Sequence, residues 1–105
     1  MLKKIEVMNP YGNKMEYFVD EKGQKQGVCL VYDSEGRLYE KYTYLNDVKE
    51  GPFERYYPNG WLLGKGNYVA DEMDGMYVVF EKDGRLVVRA SYQQGHLNGA
   101  YELYY

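Results

Sequence analysis

Residues Gly51–Asp74, GPFERYYPNGWLLGKGNYVADEMD, decide the fold because the chain repeats them loosely on both sides. Glycines fall at Gly12, Gly36, Gly60 and Gly84, each 24 apart, and a second series falls at Gly27, Gly51, Gly75 and Gly99 with the same spacing. Two glycine series in one register define a repeat protein. The units run 3–26 (degenerate), 27–50, 51–74 and 75–98, with a partial unit over 99–105, all in a single domain spanning residues 1–105.

Each unit holds two short segments rich in aromatic and β-branched residues, which predicts strands. The first segments are KIEVM, VCLVYD, PFERYY, MYVVFE and AYELYY; the second are KMEYFVD, LYEKYTY, LLGKGNY and LVVRASY. No window carries a sustained helical apolar period, so the chain is expected to be all-β. The joints NPYG, DSEG, YPNG and EKDG place glycine fourth in a tight turn. In Tyr57-Pro58-Asn59-Gly60, proline pre-sets φ for a type I turn and Gly60 takes the left-handed bulge position. The other joints, GQKQG, DVKEG, DEMDG and GHLNG, align Gly23, Asp47, Asp71 and Gly95. Hairpin after hairpin with no room for a crossover predicts an antiparallel meander of about nine short strands.

Alternation places Leu38, Glu40, Tyr42 and Tyr44 on one face with Leu62, Gly64, Gly66, Tyr68 and with Leu86, Val88, Ala90, Tyr92. Tyr39, Lys41 and Thr43 point the other way, with Leu63, Lys65, Asn67 and Val87, Arg89, Ser91. The first segments alternate less cleanly. Phe53 and Tyr56 are three apart, so either a bulge separates them or both faces carry apolar residues.

Fourteen tyrosines among 105 residues suit a thin, half-wet sheet better than a thick dry core. A net charge of −3 argues against nucleic acid as a partner. One cysteine excludes an intramolecular disulfide and points to a reducing compartment. The N-terminus shows no signal peptide and nothing approaches a membrane span, so a cytoplasmic location is expected.

Catalytic groups are scarce. Cys29 and His96 are the only thiol and imidazole. About five strand steps at ~4.8 Å separate them, too far for a nucleophile–base pair unless the sheet closes. Cys29 reads as a small apolar residue where other copies have Phe or Tyr. Asp71, Glu72 and Asp74 read as a solvated acidic turn, with weak Ca²⁺ binding as the alternative, and neither a metal nor a cofactor is expected. Lys41, Lys65 and Arg89 form a basic row read as cross-strand partners of neighbours such as Glu54 or Glu81. Units 27–50 and 51–74 hold three basic against five acidic groups and two against four, so the middle is acidic and suits a basic protein partner.

Residues that break the repeat carry most of the functional information. Trp61 aligns with Asn13, Arg37 and Arg85, and Tyr57 with Asn9, Asp33 and Glu81. Leu63 follows Trp61 by two residues on one face, and Tyr39 is its counterpart in the preceding unit. Tyr57, Trp61, Leu63 and Tyr39 are the candidate protein-binding residues, since exposed aromatics are enriched in hot spots. The bland alternative is a clasp within the hairpin or a contact within an oligomer.

The pattern Tyr-x-x-(Gly/Asp)-x-x-x-Gly-x-x-x-x-(Tyr/Phe)-x-x-x-Gly-x-Leu appears as YLNDVKEGPFERYYPNGWL and YVADEMDGMYVVFEKDGRL, and its first half as YQQGHLNGAYELY. It resembles the MORN-repeat variant of small bacterial proteins, some described as antitoxins of toxin–antitoxin systems. The resemblance implies a single-layer curved sheet of stacked hairpins used for binding rather than catalysis. Three readings follow: a binder of another protein, such as a toxin or effector, in the manner of an antitoxin or immunity factor; a structural scaffold or homo-oligomer paired through edge strands at Lys4–Met8 and Ala100–Tyr105; and a phospholipid-binding repeat.

Overall fold

The computed structural model describes residues 1–104; Tyr105, the last residue of the expected C-terminal edge, lies outside the described residues. Its strands are β1 (Lys3–Met8), β2 (Lys14–Val19), β3 (Gly27–Tyr32), β4 (Leu38–Leu45), β5 (Val48–Lys49), β6 (Gly51–Tyr56), β7 (Leu62–Val69), β8 (Glu72–Met73), β9 (Gly75–Phe80), β10 (Leu86–Gln93) and β11 (His96–Leu103). Nine of them pair in sequence order, β1-β2-β3-β4-β6-β7-β9-β10-β11, in one open antiparallel sheet. The two-residue strands β5 and β8 fold back on β4 and β7.

Those short strands correct one detail of the expected joints. The first joint, GQKQG, follows a turn over Asp20–Gly23 in which the Gly23 amide donates to the Asp20 carbonyl at 3.0 Å, so Gly23 does not match Asp47, Asp71 and Gly95. The other three joints turn through only Asn46-Asp47, Ala70-Asp71 and Gln94-Gly95, with positive φ at both residues of each pair. That is the type I′ geometry that matches strand twist. The glycines of the 27/51/75/99 series lie beyond these turns. Gly51, at φ +92°, bends the chain between β5 and β6, and Gly99, at φ +82°, lies inside β11. At the opposite end of the hairpins the expected turns are present. In the Tyr57–Gly60 turn the Gly60 amide donates to the Tyr57 carbonyl at 2.9 Å and the Tyr57 amide to the Trp61 carbonyl at 2.8 Å.

The alternation of the second strands holds from Glu40, Gly64 and Val88 onward, but not at their first residues: Leu38, Leu62 and Leu86 pair with Tyr32, Tyr56 and Phe80, because one extra residue follows each leucine and shifts the register. Cys29, Val31, Tyr42, Tyr44, Phe53, Tyr68 and Ala90 are buried on one face, termed inner. The question left open at Phe53 and Tyr56 resolves in favour of apolar residues on both faces, since β6 itself has no extra residue between them. Pairing shifts between Arg55↔Gly64 and Tyr56↔Leu62, which leaves Leu63 as the extra residue of a bulge on the partner strand. Tyr39 and Val87 hold the same position in β4 and β10. Within β6, Phe53 is 1 % exposed on the inner face, while Tyr56 lies beside Glu54, whose neighbouring charge adds to the effect of burial in raising the phenol pKa. Both faces therefore carry aromatic side chains.

A one-layer sheet has no second layer to cover its inner face, so the aromatic rings cover it themselves. The glycines of β7 make the room. A Cβ at Gly66 would stand 2.8 Å from the Phe53 ring and 3.0 Å from Tyr77, and one at Gly64 would stand 3.0 Å from the Val78 carbonyl oxygen. Rings packed over strand glycines recover apolar burial that a bare backbone would lose. Phe53 packs at a tilt against Tyr68, 4.5 Å between centroids, and stacks on Tyr77 at 5.9 Å.

Candidate binding surface

The hairpin end at Tyr57–Trp61 is built from turn chemistry. Asn9 and Asp33, first in their turns, each accept two backbone N–H bonds through one side-chain oxygen. Tyr57 holds that position in its own turn and lacks such an acceptor, and Asn59 takes over by accepting from the Trp61 amide at 3.0 Å. Asp83 does the same for Arg85. Tyr57 is thereby released for another contact. Its hydroxyl donates to the Phe80 carbonyl of the following hairpin at 2.6 Å.

Trp61 reaches the same hairpin. Its indole lies where a Cβ on Gly84 would stand, 2.9 Å from the ring, yet the residue stays 51 % exposed. The structure thus brings Tyr57 and Trp61 together on the turn that ends in Gly84. Leu63 is half-buried at its bulge, and Tyr39, 38 % exposed, occupies the equivalent bulge one unit earlier. Alternation alone sets Tyr39 on the face of Lys41. The bulge alters that, because Tyr39 lines a depression of about 170 Å³ together with the inner-face residues Met15 and Val31.

Several polar contacts escaped the sequence reading. Arg55 Nε donates to Glu40 Oε2 at 3.0 Å across the inner face, with the Tyr77 hydroxyl 3.4 Å from the same guanidinium. Partial burial works against the Arg55 charge, but the Glu40 carboxylate raises its pKa overall. Arg55 breaks the repeat, aligning with Val31, Val79 and Leu103, whereas Glu40 aligns with Glu16, Gly64 and Val88. The arginine among apolar counterparts is the available signal, and it faces Glu40 across the strand pair. Lys49 Nζ sits over the rings of Tyr42 and Tyr68 at 4.5 and 5.2 Å, and Lys25, one unit earlier, sits over Tyr17 and Tyr44. These cations help roof the rings through cation–π attraction.

The acidic middle resolves into latches between neighbouring turns. Asp71 Oδ1 accepts the Lys49 amide at 2.6 Å while the Asp71 amide donates to the Lys49 carbonyl at 2.9 Å. Asp47 makes the same reciprocal pair with Lys25. Gly95 keeps only the backbone half, donating to Met73. Gln26, Glu50 and Asp74 each accept the amide of the residue 20 positions on. These side chains tie one unit to the next, and among the described residues no group of three potential ligands is arranged to hold a metal ion.

The outer-face basic row departs from expectation. Register sets Glu54 opposite both Lys41 and Lys65, whereas Glu81 lies in the β9–β10 turn. Among the described residues no carboxylate comes within 4.0 Å of Lys41, Lys65 or Arg89. Cys29 is fully buried, and burial pushes its thiol pKa up. Its strand lies six steps along the open sheet from the strand of His96, one more than the expected five.

Hairpins stacked at a 24-residue period in one open sheet define a β-hairpin repeat protein, whose units contact chiefly their neighbours. The MORN repeat variant family matches residues 25–46 and 49–70, so the chain carries MORN-variant repeats over residues 25–70. These matches cover the β3–β4 and β6–β7 hairpins, and the β1–β2 and β9–β10 hairpins extend the same plan on either side. No curated protein matches the chain significantly.

Proposed function

We propose that this repeat module binds another protein without catalysing a reaction, as an antitoxin or immunity-type inhibitor does. The supporting observation is Trp61, half-exposed while its indole rests against Gly84 beside the Tyr57–Phe80 hydrogen bond. An aromatic side chain already ordered in the free protein loses little entropy on binding. The test is affinity capture from the native host with wild type and Trp61→Asp, both shown to be folded by circular dichroism. The account expects a stoichiometric partner that the variant loses. No partner, or equal capture by both, counts against it.

A second reading, self-assembly, is favoured by exposed apolar side chains on the flanking strands: Val7 and Met8 on β1, Leu97, Tyr101 and Leu103 on β11. Light scattering across concentration tests it; a strict monomer throughout removes it.

A further inference from the structure

Two parallel rows cross the outer face. The first runs Leu30↔Lys41↔Glu54↔Lys65↔Val78↔Arg89↔Glu102, an unbroken register through seven strands. The second holds Val28↔Thr43, Pro52↔Asn67 and Met76↔Ser91, two residues further along the same strands. Lys41, Lys65 and Arg89 are exposed and unpaired among the described residues, with Glu54 the one carboxylate between them. Val28, Pro52 and Met76 are exposed too, and a depression of about 270 Å³ lies between Pro52, Lys65, Asn67, Met76 and Val78. The face thus offers cations in one line and apolar side chains in another, both at the repeat pitch.

That pitch is two strands, about 9.6 Å. A polyproline-type segment has three residues per turn and rises about 9.3 Å per turn, so its every third residue faces the same way. Resting on the protein-binding reading, we infer that the outer face receives an extended acidic segment of the partner. Its carboxylates at every third residue meet Lys41, Lys65 and Arg89, while proline or aliphatic residues between them rest on Val28, Pro52 and Met76.

The probe is a fluorescein-labelled peptide of about nine residues, three polyproline turns, with Asp at every third place and Pro or Leu between. Its control has the same composition with the Asp residues contiguous. Fluorescence anisotropy against the full chain is expected to give at least about tenfold tighter binding for the spaced peptide. Lys65→Glu and Met76→Asp are each expected to abolish that preference in protein shown to be folded by circular dichroism; Lys65→Gln, which sets no second carboxylate opposite Glu54, is expected to weaken it too. Equal binding of the two peptides, tighter binding of the control, or indifference to Lys65→Glu overturns the inference. A captured partner indifferent to Lys65→Glu and Arg89→Glu also overturns it and leaves the protein-binding reading intact. A spaced peptide that binds where no partner is captured counts against that reading alone.

Discussion

Gly66→Ala is the sharpest test of how a one-layer sheet covers its inner face. Gly66 does not sit at positive φ. Alanine at such a position ordinarily stabilises by about 0.4–1 kcal/mol, because the unfolded chain loses freedom. Here the new methyl would stand 2.8 and 2.9 Å from two Phe53 ring carbons and 3.0 Å from Tyr77. Phe53 is 1 % exposed and packed between Tyr68 and Tyr77, so its ring has little space to retreat. Overpacking of this kind costs about 1–3 kcal/mol. The net expectation is a loss of about 1–2 kcal/mol, the reverse of the propensity effect. Urea denaturation should show a lower midpoint at unchanged slope, and thermal melts a Tm lower by roughly 5–10 °C. Phe53→Leu shortens the obstructing side chain, so the double variant should recover about 1 kcal/mol relative to additivity. At Gly64 the nearest obstacle is a backbone carbonyl, so trimming a ring should not rescue Gly64→Ala. The reasoning fails if Gly66→Ala is as stable as wild type, or if its cost is unchanged in the Phe53→Leu background.

Asp71→Gly should remove the side-chain half of its latch and keep the backbone half, as Gly95 does; amide exchange at Lys49 should accelerate while Lys25 stays protected, and unchanged exchange would refute the latch. Gly84→Ala strains a φ of +90° and displaces the Trp61 indole, so emission of the only tryptophan should change together with a loss of stability of about 1 kcal/mol or more. Hydrogen bonds from Gln26, Lys14 and Arg37 hold the carboxyl pKa values of Asp20, Glu16 and Asp33 below their ordinary range. Their contribution is fully present above the unfolded carboxylate pKa of about 4 and is lost as pH falls through the lower folded values. Stability should therefore hold from neutrality to about pH 5 and decline below pH 4, and Asp33→Asn should shallow that decline in acid titration by circular dichroism. Cys29 should resist iodoacetamide at pH 8 until urea unfolds the chain, as mass spectrometry would show, because burial disfavours its thiolate.

The repeat and its hairpins were legible because glycine at a positive φ leaves a strong mark at a fixed period. Gly60 and Gly84 are read from their turns alone. The Gly51 series was visible but not its role, since a bend within a strand and a loop demand the same residue. Gly64 and Gly66 looked like ordinary members of a face; their purpose depends on rings from β6 and β9, placed only by the register of three strands. Asp47 and Asp71 are turn-formers, as their residue type predicts, but their bonds reach 22 residues back to a neighbouring turn. Tyr57 and Trp61 stand out in the sequence as departures from the repeat. The side-chain contacts of Tyr57 and Trp61 with the next hairpin depend on how adjacent hairpins stack, which no single unit encodes.

The proposed binding site is the hairpin end marked by Trp61. Amide hydrogen exchange of the chain, free and saturated with the captured partner, tests it most directly. The account predicts new protection at Tyr57–Trp61 and Glu81–Arg85; protection confined to the opposite turns, Asn46–Asp47 and Ala70–Asp71, or none anywhere, would contradict it.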